Sequence, residues 1–88
     1  MALTDEQADT VVQKSIPEAG GGNGPHGDGK TLDAAGLKTL DQRRDFRRRV
    51  SVNVEDFHHT MPPEQVPSDG GTTIAQARTA VRDKAQPE

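Results

Sequence analysis

The sequence has no cysteine, no tryptophan and no tyrosine, and its only aromatic rings besides histidine are Phe46 and Phe57. Without cysteine there are no disulfides, no thiolate metal ligands and no thiol nucleophile, and nothing marks an oxidising compartment. Long apolar runs are missing too: none approaches the ~20 residues that span a bilayer. The opening residues MALTDEQADT are acidic and lack the apolar core of a secretory leader. A cytoplasmic protein with no membrane partner is the expectation. Leu, Ile, Val and Phe together make only 15 of 88 residues, below the roughly 20% under which disorder becomes common. Charge of one sign is not in excess, because the net charge is −3, so self-repulsion does not force the chain open. These numbers predict a single small domain over residues 1–88, with a small core and mobile segments.

What is present begins with a device used three times. Thr4 with Gln7, Thr39 with Gln42, and Thr73 with Gln76 each have the spacing of a capping box. In that box the hydroxyl and the glutamine side chain satisfy the free N–H groups at a helix start. The first helix then carries Ala8, Val11, Val12 and Ile16 on one face and should stop before Pro17. The third carries Ile74, Ala77 and Val81, with Arg82 and Lys84 at its cation-favouring end. The predicted fold is mainly α, a three- to four-helix bundle with long disordered loops.

The middle segment reads two ways. Leu37 and Leu40 begin a helical stripe, but its continuation falls on Arg43, Arg44, Arg47 and Arg48, while Phe46 and Val50 project elsewhere. Val50-Ser51-Val52-Asn53-Val54 alternates apolar and polar, as a half-buried strand does. The alternative is therefore an α+β fold with a short strand at 50–54. Residues 18–30 hold six glycines and a proline and read as a flexible loop. Residues 61–71 form a Pro/Gly-rich connector, and residues 86–88 a disordered tail.

Three groups of residues raise chemical questions. GPHGDGKT at 24–31 matches G-x-x-x-x-G-K-[ST], in which backbone N–H groups cradle phosphates, the lysine reaches the terminal phosphates and the hydroxyl holds Mg²⁺. Gly24, Gly29, Lys30 and Thr31 are thus candidate phosphate-binding residues, with Asp56 a candidate metal-associated carboxylate. The motif needs a strand before it and a helix after it; the residues before Gly24 are not a strand, and the 18 residues between Thr31 and Val50 are few for a helix and a crossover, so a mobile linker is the expectation. Arg43, Arg44, Arg47, Arg48 and Arg49 hold 5 of the 11 Lys and Arg residues and are candidate contacts for an acidic protein surface or a nucleic acid. His58 and His59, with Glu55, Asp56, His26 and Asp28, contain metal-ligating types, but adjacent histidines point apart on helix or strand. No metal, cofactor or catalytic arrangement is predicted. The function that follows is a non-enzymatic macromolecule-binding adaptor.

Gly36-Leu37-Lys38-Thr39-Leu40-Asp41 resembles the attachment region of acyl carrier proteins, which carry D-S-L after a glycine–hydrophobic pair. Ala8, Val11, Val12 and Ile16 are similar to the core positions of that family's first helix, and residues 73–81 to its last helix. About half of the chain takes part. The resemblance implies a small helical bundle with Thr39 at the phosphopantetheine attachment position. Thr39 stands where the family has serine and Lys38 where it has an acidic residue. Arg43 and Arg49 fall where the family buries apolar side chains, and the second helix is basic rather than acidic. The resemblance thus implies a carrier-like bundle that no longer carries.

Overall fold

All three capping boxes form. Thr4, Thr39 and Thr73 accept hydrogen bonds from the N–H groups of Gln7, Gln42 and Gln76 at 3.0, 3.1 and 3.1 Å, and each glutamine Oε1 accepts the backbone N–H of its threonine. A computed structural model describes residues 1–88, with helices α1 (Asp5–Glu18), α2 (Leu40–Asn53) and α3 (Ile74–Lys84) following these caps. Between α2 and α3 lie 3₁₀ turns at Val54–Phe57 and Pro63–Gln65, and a two-residue strand β1 (His59–Thr60). β1 pairs antiparallel with β2 (Gln86–Pro87) after α3. The fold is mainly α, as the sequence pattern predicts.

α1 packs against both α2 and α3. Ala8, Val11, Val12 and Ile16 form its buried face, and Ile74, Ala77 and Val81 that of α3. Eighteen buried apolar residues form one cluster. Leu32, Ala35, Leu37, Met61 and Val66 of that cluster come from outside the helices, which is how a chain poor in large aliphatics still fills a core. Apolar burial is worth about 25 cal/mol per Å², so anchoring the loops through these side chains adds directly to a small total.

α1 does not stop before Pro17. It runs to Glu18 and ends in a Schellman motif, with Gly21 N–H to Ile16 O at 2.9 Å and Gly20 N–H to Pro17 O at 3.0 Å. Gly20 sits at φ +90, the left-handed position this ending requires. Proline in the last turn removes one helical donor without ending the helix, and the glycine sets the boundary.

The strand at 50–54 does not form. Val50 and Val54 are both fully buried, whereas Val52 is 48% exposed. Burial at i and i+4 but not i+2 is helical. Phe46 lies one turn before Val50, so helix continuation buries Phe46, Val50 and Asn53 together. A strand would have given up that face. Asn53 donates through Nδ2 to Ser15 Oγ (3.0 Å) and Glu18 Oε1 (2.8 Å), a polar tie between α1 and α2.

Nor are the loops long and disordered. Residues 28–33 and 70–75 hydrogen-bond to each other: Leu32 N–H to Thr72 O (2.8 Å), Asp33 N–H to Gly70 O (3.0 Å), Ile74 N–H to Lys30 O (2.8 Å) and Ala75 N–H to Asp28 O (3.1 Å). Backbone groups outside helices need partners, and here two glycine-rich segments provide them for one another. Gly36, at φ +98, lets the following turn approach Gly22; a Cβ there would stand 2.8 Å from the Gly22 nitrogen. The tail also departs from expectation, with Gln86 and Pro87 in β2 and Glu88 N–H on His58 O at 3.0 Å.

Candidate partner-binding surface

The cations of this chain divide into those neutralised by a carboxylate and those that are not. Arg78 clamps Asp28 with two bonds of 2.5 and 3.1 Å, and its hydrogen bond to Asp28 pushes its pKa up. Arg82 bridges Asp83 and Asp5, both at 2.8 Å. Its hydrogen bonds to Asp83 and then Asp5 push the guanidinium pKa up, and the bond from Arg82 holds the Asp83 carboxyl below its usual range. Lys14 meets Asp56 at 3.4 Å. These cations all lie on α1 or α3.

On α2 the balance is different. Arg48 is paired with Asp45 at 2.6 Å, but Arg44 reaches Asp41 only at 3.9 Å, with both side chains largely in solvent. Such exposed pairs contribute little. Arg43 donates to the backbone oxygen of Leu37 at 3.1 Å rather than to a carboxylate. The Arg47 Nε–H is buried with no acceptor, and Arg49 is exposed. Arg43 and Arg47, with no carboxylate partner, and the loosely paired Arg44 therefore leave a net positive charge on the first half of α2. The four free N–H groups of a helix start add partial positive charge at the same end.

Arg43, Arg44 and Arg47 are spaced three or four apart, so they share a face. With Leu40, Ser68 and Asp69 they line a half-open pocket of about 130 Å³. Leu40 stands at its edge with 70% of its surface exposed. The connector at 68–69 lies against α2, with Gly70 beside the Arg43 guanidinium, where a Cβ would stand 3.7 Å from Nη1. The sequence gives no sign of this juxtaposition, and Leu40 reads there as the start of a buried stripe. The five candidate arginines are also not one patch: Arg43, Arg44 and Arg47 converge on the pocket, Arg48 is held by Asp45, and Arg49 lies outside the pocket.

Both phenylalanines are drawn away from this surface. Phe46 is fully buried, and Phe57 packs against the core. No aromatic ring stands among the arginines to stack on a base, which single-stranded nucleic-acid sites rely on.

The other candidate residues lie outside this pocket. No strand precedes Gly24, and the residues after Thr31 form a turn, with α2 starting only at Leu40. The Lys30 N–H is bonded to Gly27 O at 3.0 Å and the Thr31 hydroxyl accepts from Ala34 N–H at 3.1 Å, so neither is turned to a phosphate cradle. Gly24, Gly29 and the Lys30 side chain are exposed. Asp56 is engaged by Lys14. His59 is buried, with Nδ1 facing Phe57 O at 2.7 Å and Nε2 facing Met1 O at 2.6 Å. His26 Nε2 faces Gly22 O at 3.0 Å. No three His, Asp or Glu side chains come together in a metal-binding arrangement. Thr39 is exposed at the α2 N-cap, and its hydroxyl both accepts from Gln42 N–H (3.1 Å) and contacts Gln42 Oε1 (3.3 Å). No helix is long and apolar enough to cross a membrane.

Comparison of the chain with protein-family models, curated proteins and solved structures returns no match.

Proposed function

We propose that this chain is a non-enzymatic adaptor that binds an acidic segment of a protein partner through the first half of α2. The observation that carries the reading is the cluster of Arg43 and Arg47, which have no carboxylate partner, and the loosely paired Arg44 beside the exposed Leu40. Protein interfaces favour arginine together with apolar anchors. A leucine 70% exposed among cations fits a partner helix or strand that offers both an apolar side chain and carboxylates. Nucleic acid is the weaker fit, because Phe46 and Phe57 are withdrawn and the chain as a whole is acidic.

The test is fluorescence anisotropy with a labelled peptide of alternating Leu and Glu, run beside a single-stranded oligonucleotide of equal charge. The peptide should bind more tightly, and its affinity should fall as salt rises. Arg44→Glu with Arg47→Glu should weaken it by about tenfold or more. Preference for the oligonucleotide would replace this reading with a nucleic-acid one.

A second reading is a carrier-like bundle without the carrier chemistry. It is supported by the place of Thr39, exposed at the start of α2 after the long α1–α2 connection. Incubation with a phosphopantetheinyl transferase and coenzyme A, followed by mass spectrometry, should give no gain at Thr39. A gain there would make the chain a working carrier.

A further inference from the structure

Arg47 lines the α2 pocket, and its Nε–H is shielded from solvent with no acceptor within reach. That nitrogen has almost no accessible surface, so Arg47 faces the pocket through other atoms of its side chain. The same pocket gathers the Arg43 guanidinium, with only one donor spent on Leu37 O, the loosely paired Arg44, and the Ser68 hydroxyl. Asp69 is the only carboxylate in the lining and is exposed. Three guanidiniums against Asp69 in the lining and Asp41 beside Arg44 leave a charge of about +1 at neutral pH.

The pocket, at about 130 Å³, is well below the roughly 300–1,000 Å³ of sites for whole small molecules. It accepts one compact oxyanion, not a nucleotide. A carboxylate offers two oxygens, which one bidentate arginine already engages. A phosphomonoester offers three terminal oxygens and a charge of about −1.5 to −2, which suits several guanidinium forks and a hydroxyl at once.

We infer that this pocket takes the phosphomonoester of a phosphorylated side chain on the acidic partner, with Arg43, Arg44, Arg47 and Ser68 as its donors and Leu40 contacting the neighbouring apolar residue. The inference rests on the partner-binding reading and narrows it to phosphorylated segments. Arg47 contributes its charge from the pocket lining, Arg43 is braced by the Leu37 carbonyl, and Arg44 reaches in from solvent. Asp69 opposes any anion in the pocket, and a phosphate more than a carboxylate, so the preference for phosphate comes from the several guanidinium donors that its three oxygens engage.

The experiment is a titration of the full ¹⁵N-labelled chain that follows the arginine Nε–Hε resonances. The probes are a Leu/Glu-rich peptide containing phosphoserine, the same peptide with Ser or Glu at that position, and inorganic phosphate. The phosphopeptide should bind at least about tenfold more tightly than either counterpart and shift the Arg47 Nε–Hε signal. Arg47→Lys, which keeps the charge but loses the fork, should abolish that preference while leaving the amide spectrum folded. Asp69→Asn should strengthen phosphopeptide binding. Equal affinity for the phosphoserine and Glu peptides would overturn the inference and leave the acidic-partner reading standing. Binding of none of the peptides would overturn both. Inorganic phosphate binding as tightly as the phosphopeptide would overturn the assignment to a protein-borne group.

Discussion

Gln13 and His26 pair as two strand residues would. The His26 N–H donates to Gln13 Oε1 at 2.8 Å, and Gln13 Nε2 donates back to the His26 oxygen at 2.9 Å. One side-chain amide on α1 thereby holds the middle of the glycine-rich segment, thirteen residues along the chain.

Breaking this pair isolates its contribution. Gln13→Ala should cost about 1 kcal/mol, the net worth of ordinary hydrogen bonds. The larger effect is local: hydrogen exchange at residues 21–29 should accelerate far more than exchange in α3. Uniform acceleration across the chain would mean that the segment is not separately anchored.

The helical identity of residues 50–53 makes the three nearby valines unequal. Val50→Ala, at a fully buried site, should cost on the order of 2 kcal/mol from lost transfer energy and the cavity left behind. Val52→Lys, at a half-exposed site, should stay within about 0.5 kcal/mol of the parent. Urea denaturation reads both. Equal losses at the two positions would restore the strand.

Asn53 ties α2 to α1 through Ser15 and Glu18. Asn53→Ala should cost about 1–3 kcal/mol, because the partner groups lose their bonds in a partly buried setting. Glu18→Gln should cost less, since a neutral amide oxygen still accepts from Nδ2. A larger loss for Glu18→Gln would place the stabilisation in the charge instead.

Arg82 holds the Asp83 carboxyl below its usual range. A carboxyl lowered in the folded state stabilises the fold above its unfolded pKa, and that contribution disappears as pH falls through the folded value. Arg82→Gln should return the Asp83 midpoint to the ordinary carboxylate range in a ¹³C-detected titration. It should also remove a small part of the stability lost on acidification, small because both groups lie in solvent. An unchanged Asp83 midpoint would separate the shift from Arg82.

How far the sequence reached depends on the range of the interaction. The capping threonines and the stripe of Ala8, Val11, Val12 and Ile16 act over one or two turns, and the sequence pattern shows them. Val50, Val52 and Val54 are compatible with a strand period until Phe46 is known to be buried in the core, a tertiary fact. The glycine-rich segments look mobile because their order comes from each other, as in the bond from Leu32 N–H to Thr72 O, and no local period records a partner forty residues away. The site was visible only in part for the same reason. The arginines stand out as a cluster, but their sorting into pocket and periphery depends on Ser68, Asp69 and Gly70 folding back onto α2.

The most direct measurement of the central claim is an amide ¹⁵N–¹H map of the chain titrated with the Leu/Glu peptide. The account predicts shifts concentrated at residues 38–48 and 68–70, removed by Arg44→Glu with Arg47→Glu and reduced by added salt. Shifts centred on α3, or none at residues 38–48 while the peptide binds, would contradict it.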